Sequence, residues 1–197
     1  MKEEIKRFIC GLRTDAFQRN LPVMREETAT LLEKTVNEFS PEEILEIGTC
    51  VGVSGLTVLN NCNGKLTSIE NDESKYAEAK LNFSKCGFKE RINLILGDCN
   101  QILQYLRGNK YDMAILDGPK SSLQTQYEYA LEMLSEGGKI FIDDIDYHGY
   151  IKSESAPHKQ RTIILALRKF IRDLKSDKRV KVTFYDIEDG VAIAEKI

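Results

Sequence analysis

The chain has 197 residues, 42% of them apolar, and a net charge of −3. That length and apolar fraction suit one α/β domain with a sizeable core and exclude a disordered chain. No apolar run reaches membrane-span length, the charged opening MKEEIKRFICGLRTD is not a signal peptide, and five cysteines (Cys10, Cys50, Cys62, Cys86, Cys99) without a C-x-x-C pair read as free thiols of a cytoplasmic protein.

In chain order, residues 1–40 read as a helical cap region. Ile5, Phe8, Ile9, Leu12 and Phe17 mark a peripheral helix that Leu21-Pro22-Val23-Met24 breaks. Thr28, Leu31, Leu32, Thr35, Val36 and Phe39 keep helical spacing up to Ser40-Pro41. Ile44 to Ile47 is a first strand, followed by Gly48, Gly52 and Gly55 and then by Val53, Leu56 and Leu59 at helical spacing. Strand, glycine turn and helix bring a ligand against bare amides at a helix N-terminus. The glycines run G-x-x-x-G-x-x-G, which is neither a Walker loop nor the dinucleotide fingerprint. Glu46, just before the turn, is placed to put a carboxylate in the same crevice, which would repel a phosphate and suit a cationic or hydroxyl-rich ligand.

Strands continue at Leu66–Ile69, 92–96, 111–116 and Lys139–Ile142, each separated by a helical stretch. One of those helices carries Leu123, Tyr127, Ala130, Leu131 and Leu134 and is predicted to stop at Gly137-Gly138. A basic helix follows, with Ile164, Leu167, Ile171 and Leu174 inward. Strands at 180–187 and 191–195 flank the hairpin signal Glu188-Asp189-Gly190. The alternation predicts a single domain over residues 1–197: a Rossmann-like, doubly wound, mostly parallel seven-stranded sheet with an antiparallel C-terminal hairpin strand. Glu46, Glu70, Asp98, Asp117 and Asp143 all fall at or just after strand C-terminal ends, the edge where open α/β sheets bind ligands.

These acids divide into two groups. Glu70, about 20 residues beyond the glycine turn, can accept both hydroxyls of a ribose. Amides near Gly52, with the Ser54 hydroxyl, can hold a carboxylate. Asp98 either caps the next helix or binds a base. Asp117-Gly118-Pro119-Lys120 and Asp143-Asp144 bring three carboxylates and a lysine to two strand ends, a set of hard oxygen ligands for Mg²⁺ or Mn²⁺. Between Lys152 and Lys181 stand ten basic and three acidic residues, so this segment carries +7 and the remainder about −10. Such a segment suits either a polyanion or plain solvation.

The glycine turn with Glu46 resembles the first motif of class I S-adenosylmethionine-dependent methyltransferases. The series Asp117-x-x-Lys120, helix, Gly137-Gly138, strand, Asp143-Asp144 resembles their divalent-cation-dependent O-methyltransferase branch, the catechol and caffeoyl-CoA enzymes, over residues 22–197. The resemblance implies S-adenosylmethionine bound by Glu46, Gly48, Gly52, Ser54, Glu70, Asp98, Cys99 and Asp117. It also implies a metal on Asp117, Asp143 and Asp144, and Lys120 as the base beside Asp117. A homodimer is the expected assembly. The chain departs from the pattern in having Asp144 where Asn is usual, with Asp146 nearby, and in lacking tryptophan; Tyr147 and His148 stand in the pocket region instead. Pro22-Val23-Met24, His158-Lys159-Gln160-Arg161 and Asp189-Gly190-Val191-Ala192-Ile193 most resemble the bacterial tRNA 5-hydroxyuridine methyltransferases. That implies tRNA as acceptor, with a small hydroxylated aromatic as the alternative. A nucleoside-binding protein without catalysis and a nicotinamide dehydrogenase are the competing classes; Lys120 with the acid set argues against the first, the glycine spacing against the second.

Overall fold

Seven short apolar runs build one sheet in the computed structural model, which describes residues 1–147, 149–151 and 158–197. His148 and residues 152–157, which include Lys152 and Glu154 of the basic segment, lie outside the described residues. The strands are β1 (Glu43–Ile47), β2 (Lys65–Glu70), β3 (Ile92–Leu96), β4 (Tyr111–Leu116), β5 (Leu134–Ile142), β6 (Val180–Tyr185) and β7 (Val191–Lys196). Their order is β3-β2-β1-β4-β5-β7-β6. β1 to β5 pair in parallel, and β7 runs antiparallel between β5 and the edge strand β6. This is the doubly wound, seven-stranded sheet expected from the alternation of runs, with its one antiparallel strand next to an edge.

The helices are α1 (Lys2–Gln18), α2 (Glu26–Phe39), α3 (Val53–Asn61), α4 (Glu73–Lys85), α5 (Cys99–Leu106), α6 (Leu123–Met133) and α7 (Arg161–Ser176). The period of two along β1 sends Ile44 into one core and Leu45 and Ile47 into the other. On the first face, Leu32, Val36, Leu56 and Phe83 from α2, α3 and α4 pack against Ile44, Met113 and Phe141. On the second, Leu103, Tyr127, Leu167 and Phe170 from α5, α6 and α7 cover Leu45, Ala114 and Ile140. Each such fully buried Leu or Phe contributes roughly 2–3 kcal/mol.

Three expectations are corrected. The helix carrying Tyr127 ends at Met133 and not at the glycine pair, because Leu134 already pairs with Tyr111 as the first residue of β5. The inward stripe of α7 uses Phe170, while Ile171 is half-buried; the four-residue step from Phe170 to Leu174 keeps the stripe straighter. The penultimate strand stops at Tyr185, short of Ile187. The N-terminal helix is also less peripheral than its charge suggests: α1 buries Ile9, Leu12 and Ala16 and packs on α3.

Strand order reverses between β1 and β4. Their C-terminal ends, flanked by those of β2 and β5, therefore open onto one crevice.

Candidate active site

The crevice is built on Gly48, which leaves β1 with φ +96°; a Cβ there would lie 2.3 Å from the Asp117 carbonyl oxygen. Only glycine lets the turn pass that close to the end of β4. Gly52 caps α3 with φ +95°, and Cys50 between them is also left-handed at +48°. The bent turn presents the Cys50 amide to Glu70, whose Oε2 accepts it at 2.7 Å. Oε1 of Glu70 accepts the amides of Asn71 and Asp72 at 3.0 and 2.9 Å. Glu70 is thus fixed as an acceptor at the end of β2, one edge of a cleft of about 830 Å³.

Gly48, Cys50, Glu70, Asn71, Lys75 and Asp117 line one half of this cleft. Lys120, Asp143, Asp144, Tyr147 and Ile163 line the other half, facing Leu21 to Arg25 and Thr28 of the N-terminal region. Lys120 is the hub of the acids. Its Nζ donates to the Asp143 carbonyl at 2.9 Å and lies 3.4 Å from Asp117 Oδ1 and 4.0 Å from Asp144 Oδ2. Its side chain is only 8% exposed, so the ammonium is held rather than solvated. Asp143 Oδ1 accepts the Asp144 amide at 2.7 Å, and Asp144 takes a left-handed φ of +54° to make that possible. A non-glycine residue in that region stores strain of order 1 kcal/mol.

Burial raises the Asp117 carboxyl, although Lys120 beside it pulls the other way. Burial, and next the charge of Asp117, pushes Asp143 up to about 8. One ammonium therefore does not neutralise this corner, and its donors are the hard oxygens a divalent cation takes. By donor chemistry Asp117, Asp143 and Asp144 fit such a cation. By arrangement, no group of three or more His, Cys, Asp or Glu side chains among the described residues forms a ready metal set, and Lys120 contacts Asp117 and Asp144 instead.

Three candidate residues, Glu46, Ser54 and Cys99, lie elsewhere than the sequence suggests, and a fourth, Asp98, takes the helix-capping one of its two readings. Glu46 does not face the crevice. It is fully buried beneath α3, where the alternation of β1 sends it, and it accepts from Ser54 Oγ at 2.6 Å and from Ser68 Oγ. Ser68 in turn bonds Thr49 at 2.5 Å. Burial pushes the Glu46 carboxyl up to about 7. The Ser54 hydroxyl, spent on Glu46, is not turned towards the cleft. Asp98 caps α5, accepting the Asn100 and Gln101 amides at 2.9 and 3.3 Å, and Cys99 is buried behind it; neither lines the cleft. Sequence reasoning missed Lys75, Arg25, Thr28, Glu188 and Asp189, all of which line it. For the last two a signal existed, the turn between two strands, but it was legible only as a turn.

The glycine turn and the Glu70 carboxylate meet at a switch-point crevice, the place where open α/β sheets of this strand order bind ligands. The chain belongs to the O-methyltransferase family, whose model matches residues 3–197. It is 26% identical over 200 residues to the protein of Dictyostelium discoideum named "Probable caffeoyl-CoA O-methyltransferase 1", with 98% of this chain and 86% of that one covered. The O-methyltransferase TomG of Streptomyces achromogenes, solved with S-adenosylmethionine, superposes with a TM-score of 0.85 at 20% identity, covering 95% of this chain and 88% of that one. The O-methyltransferase of Bacillus cereus, solved with S-adenosylhomocysteine, gives a TM-score of 0.82 at 20% identity, covering 100% and 90%. The protein is an S-adenosylmethionine-dependent O-methyltransferase.

Proposed function

We propose that the enzyme methylates the 5-hydroxyl of a hydroxylated uridine in tRNA, with Mg²⁺ or Mn²⁺ on Asp117, Asp143 and Asp144. The carrying observation is the cleft itself, which Glu70, Gly48 and Asp117 line together with Lys120, Asp143 and Asp144. Glu70 holds the ribose of the cofactor, and the Gly48–Gly52 turn takes its aminocarboxylate end. The acceptor oxygen attacks the sulfonium methyl in line; the C–S bond breaks and S-adenosylhomocysteine leaves. Lys120, whose Nζ contacts both Asp117 and Asp144, takes the hydroxyl proton. A divalent cation, when bound, supplies Lewis acidity towards that hydroxyl. The base's neighbouring O4 and O5 play the part of a catechol's two oxygens.

Two features favour tRNA. Tyr147 and Ile163 line the cleft where the catechol enzymes would place tryptophan, which this chain lacks. Ile163 is also in the first turn of α7, so the basic helix starts at the cleft rim, with Arg161, Arg168 and Arg172 exposed along it. No helix among the described residues is long and apolar enough to cross a membrane; we take the enzyme as a cytoplasmic homodimer. Mass spectrometry of tRNA nucleosides from cells with and without the protein is the test: loss of the 5-methoxyuridine-type product is expected, and an unchanged nucleoside profile refutes it. The second reading is a small catechol or phenylpropanoid acceptor, favoured by the caffeoyl-CoA O-methyltransferase name of a relative. Turnover of a free catechol with no activity on hydroxylated tRNA would establish it.

A further inference from the structure

We propose that the β6–β7 turn, through Glu188, is the positioning device for the acceptor half of the cleft. This rests on the reading that the acceptor lies between the N-terminal wall and the Asp143–Tyr147 wall. The first wall, Leu21 to Thr28, has no support of its own at its helical end: α2 begins at Glu26 with Arg25 as N-cap and no side-chain cap. The missing cap comes from far along the chain. Glu188 Oε1 accepts the Glu27 amide at 3.1 Å and Oε2 the Thr28 amide at 2.9 Å. Asp189 holds Arg25 of the same wall at 2.8 Å.

The same turn also grips the opposite wall. The Asp146 amide donates to the Asp189 carbonyl at 2.7 Å, and the Ile145 amide to the Gly190 carbonyl at 3.1 Å. Gly190 permits that approach, since a Cβ there would come within 3.1–3.2 Å of Asp146. Three consecutive residues, Glu188, Asp189 and Gly190, therefore set the distance between two walls that share no strand. Glu188 takes a left-handed φ of +45° to do so, a conformation a glutamate adopts only when its surroundings over-determine it. None of these contacts reaches Gly48, Cys50 or Glu70, so the turn governs where the acceptor lies and leaves the cofactor untouched.

The test compares the parent with Glu188→Ala and Glu188→Gln in the full chain. Three readouts are taken: the calorimetric Kd of S-adenosylmethionine, amide exchange, and methyl transfer to 3,4-dihydroxybenzoate and to tRNA bearing 5-hydroxyuridine. Glu188→Ala is expected to raise acceptor KM about tenfold while kcat and cofactor Kd stay within about twofold. Exchange should rise over residues 21–28 and stay unchanged over 48–52. Glu188→Gln keeps one carbonyl acceptor and should fall between, a graded rescue that an unspecific loss of stability would not give. Parallel loss of cofactor binding, or unchanged KM and exchange, overturns the inference. If the parent methylates neither acceptor, the acceptor reading fails, and exchange together with cofactor Kd still decides: selective loosening of 21–28 sustains the positioning role, and uniform or absent loosening overturns it.

Discussion

Under the proposed function Glu70 has two jobs for one carboxylate, and its substitution tests both. It accepts three backbone amides that shape the turn, and by the proposed role it accepts the ribose hydroxyls. Glu70→Ala should weaken S-adenosylmethionine by about 3 kcal/mol, read by calorimetry, since charge-assisted bonds are lost on both sides. Glu46 behaves oppositely. Its folded-state pKa of about 7 lies above the ordinary 4.5, so the folded protein holds a proton that the unfolded chain releases. Stability is then highest below pH 4.5 as far as this group goes, and it falls as pH rises towards 7, by on the order of 3 kcal/mol. Glu46→Gln should flatten that slope in urea melts between pH 5 and 8; parallel curves for parent and variant would show the group to be ionised throughout. For the acid cluster, EDTA should abolish turnover and Mg²⁺ or Mn²⁺ restore it, and Asp144→Asn should keep activity because two carboxylates suffice to hold the cation. Complete loss in Asp144→Asn would show that the third charge is required. All these acids were legible in the sequence as strand-end residues. The direction each one points was not: Glu46 and Glu70 look alike in a one-dimensional pattern, and only the packing of α3 over β1 separates a buried brace from a cleft-facing ligand.

At the scale of elements, α7 is the segment whose charge was plain and whose use was not. Arg168 donates to the Tyr150 and Ile151 carbonyls at 3.2 Å each, so it steadies the stretch after β5. Lys169 pairs with Asp173 at 2.5 Å, and Arg172 reaches the same carboxylate at 3.8 Å with 74% of its side chain exposed. Arg168, Lys169 and Arg172 are thus not equivalent, although all three stand on the same basic helix. Arg172→Glu should weaken tRNA binding and lower the salt slope by about 0.7–0.9 without touching kcat. Arg168→Glu should do the same and also lower kcat, because the stretch beside Asp144 loses its anchor. Filter binding across a salt series, with single-turnover rates, separates the two outcomes; identical behaviour would mean that Arg168 has no anchoring role. Strand and helix types were readable throughout from periodicity. The boundaries that shifted are set by strand pairing: Leu134 joins Tyr111 and ends the helix at Met133, and the last pair of the hairpin, Tyr185 with Val191, ends β6.

For the molecule as a whole, the contact between Glu188 and the first turn of α2 has a consequence for how the protein is born. The partners are 160 and 161 residues apart, and β7 slides between two strands made before it. A nascent chain on the ribosome can lay down β1 to β4 with their helices while the entrance to the acceptor cleft still has no second side. The part of the protein that chooses its substrate is then the last to take shape, after the part that holds the cofactor. Pulse-labelled amide exchange during refolding should find the Glu27 and Thr28 amides protected later than those of Leu45, Ile47 and Ala114; simultaneous protection would mean that the sheet closes in one step. If the delay holds, a cell short of time makes a protein that first carries a reactive methyl donor and only afterwards acquires the means to aim it.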